Sequence, residues 1–309
     1  MASAYPLSNA ASVDLTSPPT SIGTVTPPAI IVSTLFRSAN TGDAPFVAQP
    51  SGVGAFQLQP TDSTAVGGNA RGANAVDLTR VRNAASQVAS GLRSFAANGG
   101  TAAGQDSFAV GTGAIANGVG SLAVGPSPTA DGAFSVALGQ NSLSSGYAST
   151  ALSFGDTRGI AYSFALSSRP TGNAPNRFML FMLVVGINTT DATSTKLASN
   201  VNPAGTDNQL IVPSDTSIFF TVRVTARVSN SNSSAWEIKG LIKKDATNAS
   251  TAFIGTPTKT LIAQTAGAAA WDCSVIADTT NGALSVNAIG VAATAIRWGA
   301  TITTSEVGF

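Results

Sequence analysis

Small and apolar residues alternate in short phrases of fixed spacing between residues 94 and 167. The phrases SFAAN, SFAVG, SLAVG, SVALG, STALS and SFALS start at Ser94, Ser107, Ser121, Ser135, Ser149 and Ser163, first thirteen and then fourteen residues apart. A glycine stands three residues before the first five serines, at Gly91, Gly104, Gly118, Gly132 and Gly146, and alanines Ala89, Ala102, Ala116 and Ala130 stand five before. A constant period marks one unit stacked upon itself. Each unit predicts a short strand, a turn with glycine where φ can be positive, a second short strand and another turn. Strand side chains alternate between faces, so residues one and three after each serine share a side. Those columns are Phe95, Phe108, Leu122, Val136, Thr150 and Phe164, then Ala97, Val110, Val124, Leu138, Leu152 and Leu166. Being the larger and more apolar, they are expected to fill a thin interior. The small Ser and Ala columns are then left for close contact with another chain. At ~4.8 Å per turn, six turns give a parallel roll about 30 Å long.

The pattern differs on either side. Residues 1 to about 60 are rich in Pro, Ser, Thr and Ala, with two Pro-Pro pairs in SPPTSIGTVTPPAIIVSTLF. Such a segment forms no compact core alone. It reads as an extended attachment segment, with AIIVSTLF, Ala29 to Phe36, able to add one strand to a neighbour. From about Arg177 onward, runs rich in β-branched and aromatic residues are separated by Gly, Asn, Pro and Asp clusters. Thr221 to Val228 alternates polar and apolar, as a half-exposed strand does, and Asn281-Gly282 supplies a hairpin turn. Six to eight antiparallel strands in such a length imply a β-sandwich or jelly-roll knob. The division is 1–82 for the extended segment, 83–168 for the roll and 169–309 for the knob.

Composition narrows the function. Net charge is +1 and charged residues are 10% of the chain, which argues against a nucleic acid or an anionic membrane as partner. There is no histidine, so the commonest general base and metal ligand are missing. The single Cys273 makes no intrachain disulfide and no zinc-ligand spacing occurs. No metal, cofactor or catalytic residue is therefore expected. The apolar run from Phe178 to Ile187 is about half of a membrane span. The N-terminus has neither the basic nor the apolar region of a secretory signal, so synthesis in a cytoplasm without export is expected. Trp236, Trp271 and Trp298 lie in knob strands, where core packing outweighs sugar stacking. Arg223, Arg227 and Arg297 are suited to acidic sugars or to a solvated or subunit-contacting face. GTGAIA, Gly111 to Ala116, imitates a dinucleotide fingerprint but sits inside the repeat with no helix after it.

The phrases Ser107–Gly111, Ser121–Gly125 and Ser135–Gly139 resemble the Ser-x-Ala-[Val/Ile]-Gly repeat of YadA-like trimeric adhesin heads. The likeness covers roughly residues 83–166 and weakens where Asn98, Ser153 and Ser167 replace the closing glycine. No heptad stalk or C-terminal barrel pattern accompanies it, as a secreted adhesin would require. GAFQLQPTDSTAVGGNARGANAVDLTRVRNAASQVASG, Gly54 to Gly91, resembles the segment that precedes such rolls in bacteriophage tail fibres. The resemblance implies an all-β, elongated homotrimer: an N-terminal extended segment, a left-handed parallel β-roll of 14-residue repeats and a C-terminal antiparallel β-sandwich knob. It implies a virion structural protein assembled in the host cytoplasm. Its N-terminus would dock on a tail baseplate, an adaptor or the capsid, and its knob would meet a host-surface polysaccharide or protein whose binding residues the sequence does not name. Neither nucleic acid nor membrane insertion is implied. A head fibre or decoration protein on the capsid is the alternative, and a polysaccharide-cleaving tailspike a third reading. Cleavage needs paired carboxylates. Asp106, Asp131 and Asp156 occupy different places in the repeat, and Glu237 and Glu306 lie in separate strands, so a non-enzymatic protein is expected.

Overall fold

The structure, a computed structural model, describes residues 53–168, 178–229 and 231–308. The N-terminal attachment segment up to residue 52, with its Ala29–Phe36 strand, lies outside the described residues. Those described are all-β apart from short 3-10 turns at Asn248–Ser250 and Ala266–Ala268.

The repeat forms a parallel β-solenoid. Strands Phe95–Ala97, Phe108–Val110, Leu122–Val124, Val136–Leu138 and Thr150–Leu152 pair in parallel, each repeat position over its equivalent, and Ser163–Ser167 completes the series. The shorter strands Thr101–Ala102, Ile115–Ala116, Thr129–Ala130 and Leu143–Ser144 make a second parallel sheet. The two-strand unit is as expected.

The faces, however, are the reverse of the expectation. Ala96, Ala109, Ala123, Ala137, Ala151 and Ala165 are fully buried, as are Ala89, Ala102, Ala116 and Ala130 from the second sheet. The repeat serines Ser94, Ser107, Ser121, Ser135, Ser149 and Ser163 are buried with them. Phe95, Phe108, Val110, Leu122, Val124, Val136, Leu138, Leu152, Phe164 and Leu166, expected inside, point outward and are half-buried or exposed. The reason is space: a fourteen-residue turn of two short strands brings its two sheets so close that the side chains between them are small, alanine and serine in most positions, with the larger Pro128 and Thr157 in the middle and last turns.

The serine and glycine columns follow from the same tightness. Ser94, Ser107 and Ser149 each donate their hydroxyl to the carbonyl of the glycine three residues before, at 2.8, 2.6 and 2.7 Å. That local bond satisfies a buried polar group. The glycines are required by close approach rather than by positive φ. A Cβ on Gly91, Gly104 or Gly118 would lie 2.0 Å from the carbonyl oxygen of the next glycine in the column, and on Gly132 or Gly146 2.1 Å from the oxygen one turn on. Positive φ falls instead on the residue before the serine, at Arg93, Asp106, Gly120, Phe134, Ala148 and Tyr162.

The parallel sheet also begins earlier than residue 83, through Phe56–Gln57 and Val76–Leu78. Asp77 takes the place of an interior alanine, in register with Ala96. Its carboxylate is held by Arg71 at 2.7 Å and Arg82 at 2.9 Å, all three side chains being buried. The alanine column thus ends on a charged plug.

At the other end Ser163–Ser167 turns the sheet antiparallel by pairing with Phe178–Thr189. The sheet continues through Ile296–Gly308, Thr216–Arg227 and Ser233–Lys244 to the edge strand Ala252–Gln264. A second antiparallel sheet surrounds Ala283–Ile289, which pairs with Thr195–Lys196, Leu210–Ile211 and Asp272–Asp278. Both sheets contribute to one core, with Phe181, Phe220 and Ile302 from the first and Leu210, Leu284 and Cys273 from the second. Trp236, Trp271 and Trp298 belong to that core, and the rings of Trp236 and Trp298 stack with centroids 5.8 Å apart. The hairpin at Asn281-Gly282 is a four-residue loop, with Gly282 in the left-handed region and the Asp278 carboxylate accepting N–H bonds from Thr280 and Asn281. Arg158, in the last turn of the solenoid, pairs with the buried Glu306 and stands 4.8 Å over the Phe181 ring, tying solenoid to sandwich.

Candidate functional site: an apolar sheet face and an arginine cleft

Because the solenoid strands and five sandwich strands form one sheet, they share one outward face. On the solenoid it carries the two larger columns. Register carries it onward: Phe164 lies opposite Met182, Leu166 opposite Leu180, and Phe178 opposite Val307. Leu180, Met182, Val184, Val307 and Phe219 are all exposed on this side. Along one border of the solenoid part runs a ladder of half-exposed rings, Phe134, Tyr147 and Tyr162, with centroids 5.7 and 5.5 Å apart. The sequence reading missed this ladder; the aromatic recurrence next to the serine column was its only trace.

Further along the same strands the face becomes polar. Arg223 lies opposite Glu237 and pairs with it at 3.6 Å, and Lys239 reaches the same carboxylate at 2.8 Å. The Lys239 hydrogen bond holds the Glu237 carboxyl below its ordinary range. Four residues nearer the strand end, Arg227 and Arg297 are direct cross-strand partners, and Asn188 is the partner of Arg297 on its other side. All three are exposed and line a cleft of about 580 Å³ with Thr190, Ser229 and Ile296. Of the three arginines singled out from sequence, the fold thus neutralises one and juxtaposes the other two.

The carboxylates considered for catalysis are dispersed and engaged. Asp106 is chelated by Arg93 at 2.6 and 2.7 Å, which lowers its pKa. Asp131 accepts from Asn117 at 2.7 Å, and Asp156 accepts from the backbone N–H of Arg158 at 2.7 Å. Glu306 is occupied by Arg158 and by the Thr304 hydroxyl. Burial pushes the Cys273 thiol up to about 12. Among the described residues no group of three or more His, Cys, Asp or Glu is placed to hold a metal ion.

The YadA head domain repeat matches the chain in two copies, residues 102–127 and 130–152. Those spans contain the strands stacked in register above. No curated protein matches. Among solved structures, the chain is similar to the tailspike protein of Acinetobacter phage vB_ApiP_P1, at 15% identity and a TM-score of 0.21, over 46% of this chain and 24% of that one. It is also similar to a tailspike protein of Acinetobacter baumannii bacteriophage Fri1, a capsular polysaccharide depolymerase, at 10% identity and a TM-score of 0.24, over 82% of this chain and 46% of that one. The chain therefore covers less than half the length of either tailspike.

Proposed function

We propose that this protein is a structural component of a phage virion, a homotrimeric tail fibre without enzymatic activity. Its N-terminal segment attaches to the particle and its C-terminal sandwich contacts the host surface. The observation that carries the reading is the continuous outward apolar face. Single chains seldom expose contiguous apolar patches beyond a few hundred Å², and a face that begins on a YadA-type solenoid calls for sister copies. The number three and the tail location come from the resemblance of the repeat and of residues 54–91 to phage fibres. Three chains that turn these columns toward one another bury Phe108, Leu122, Val136 and Phe164, while the alanine interior keeps each chain folded. The absence of activity is read from the scattered, already partnered carboxylates.

An averaged image of the virion at subnanometre resolution tests the reading. The expected result is threefold density on the tail that fits this solenoid. Such density on the capsid shell, or none anywhere on the particle, overturns the tail-fibre assignment.

A further inference from the structure

One exposed feature of the sandwich takes no part in the proposed assembly. Arg227 and Arg297 face each other directly across an antiparallel pair. Like charges in that position are destabilising. The same sheet pairs its charges elsewhere, as Arg223 with Glu237 and Lys239 with Glu237 show. Among the described residues neither Arg227 nor Arg297 takes part in an ion pair, although Asn188, Thr190 and Ser229 surround them. A local rule broken without internal compensation points outward, to a ligand.

We propose that this cleft binds a carboxylate-bearing saccharide. Two guanidinium groups converging on one cleft suit a planar carboxylate, which each can hold through paired N–H donors. Around them, an amide and two hydroxyls provide both donors and acceptors for sugar hydroxyls, and exposed Ala295 with half-buried Val228 gives an apolar edge. A volume of about 580 Å³ accommodates one or two sugar rings and is within the range of ligand sites. The cleft lies on the polar continuation of the proposed assembly face, beyond its apolar part. Asn188 is four residues beyond Val184, the last exposed apolar residue of its strand, or ~13 Å along it at strand rise. The ligand class rests on the reading of the sandwich as the surface-contacting end; the site does not.

Titration calorimetry on the full chain with a tetragalacturonate oligomer tests the proposal. Wild type is expected to bind it and to lose affinity as salt rises. The Arg227→Gln/Arg297→Gln double variant is expected to lose at least tenfold, whereas Arg223→Gln is expected to bind as wild type does. The fully methyl-esterified oligomer and inorganic phosphate are expected to bind at least tenfold more weakly. No binding by wild type, equal binding by the double variant, or an equal response to the ester overturns the proposal. Phosphate binding as tight as the oligomer overturns the saccharide assignment. Mass measured on the same samples separates the two readings: a trimer that does not bind sinks the cleft alone, and a binding monomer sinks the fibre alone.

Discussion

Replacing Gly118 with alanine is expected to be among the most damaging single-methyl changes in the solenoid, and the cost can be worked from the turn stacking. The added Cβ would lie 2.0 Å from the Gly132 carbonyl oxygen and 2.5 Å from its carbon. Both are backbone atoms, so no side chain can swing away. Relief requires adjacent turns to part by about 1 Å, beyond hydrogen-bonding range. The bonds from Asn117 and Gly118 N–H to the Ala130 oxygen, at 3.0 and 3.2 Å, and from Phe134 N–H to the Val119 oxygen, at 2.8 Å, span that gap. At about 1 kcal/mol each, their loss amounts to about 3 kcal/mol. In a chain of this size that lowers Tm by roughly 6–12 °C. Gly159→Ala is the control: its φ is +74°, and a Cβ there meets nothing within 4 Å. Its cost is torsional, about 1–2 kcal/mol. Thermal melts of wild type and both variants at one protein concentration would decide. A Gly118→Ala melt within about 2 °C of wild type, or a larger loss for Gly159→Ala, would refute the reasoning.

Other consequences follow from the placement of single residues. Ala123→Asp would bury an unpaired charge in the alanine column and is expected to abolish soluble, folded protein. Val124→Asp, one residue along and outward, is expected to leave a folded β chain by circular dichroism and to impair only assembly; the opposite pattern would restore the inside-out arrangement that the sequence suggested. At Asp278 burial raises the pKa, but hydrogen bonds from Lys196 and Asn281 outweigh it and hold the carboxyl below its ordinary range. Its stabilising contribution is therefore complete above the unfolded carboxylate pKa and lost as pH falls toward the lower, folded value. Asp278→Asn should cost about 1–3 kcal/mol at pH 7 and flatten the acid limb of the stability curve below about pH 4; an unchanged acid limb would contradict this. Cys273, fully buried with its thiol pushed up to about 12, should resist a thiol reagent at pH 8 until denaturant is added. Rapid labelling of the native protein would show the sandwich core to be open.

Much of this architecture is legible in the chain, for identifiable reasons. Strand positions in the solenoid follow from the serine spacing, and the alternation of the Thr216–Arg227 strand follows from period two. The orientation of the solenoid strands was not legible from hydrophobicity. Both of their faces are nonpolar, and the size of the turn, not the polarity of the side chain, decides which one is inside. A better signal was present in uniformity: the position two after each serine is alanine in all six units, while the outer columns range from Thr150 to Phe164. A confined interior tolerates one size, and an outer face does not impose it. The early start of the parallel sheet was hidden because Asp77 precedes Ala96 by nineteen residues, outside the period. The juxtaposition of Arg227 and Arg297 depends on cross-strand register over seventy residues of chain, which no local pattern encodes.

Sister chains are expected to cover the outward columns. Light scattering coupled to gel filtration would weigh the purified chain in solution. The predicted result is a species close to three times the 30.8 kDa of one chain, converted to single chains by Val124→Asp. A wild-type protein that runs as a stable monomer, with Phe108 and Leu122 bare to water, would contradict it.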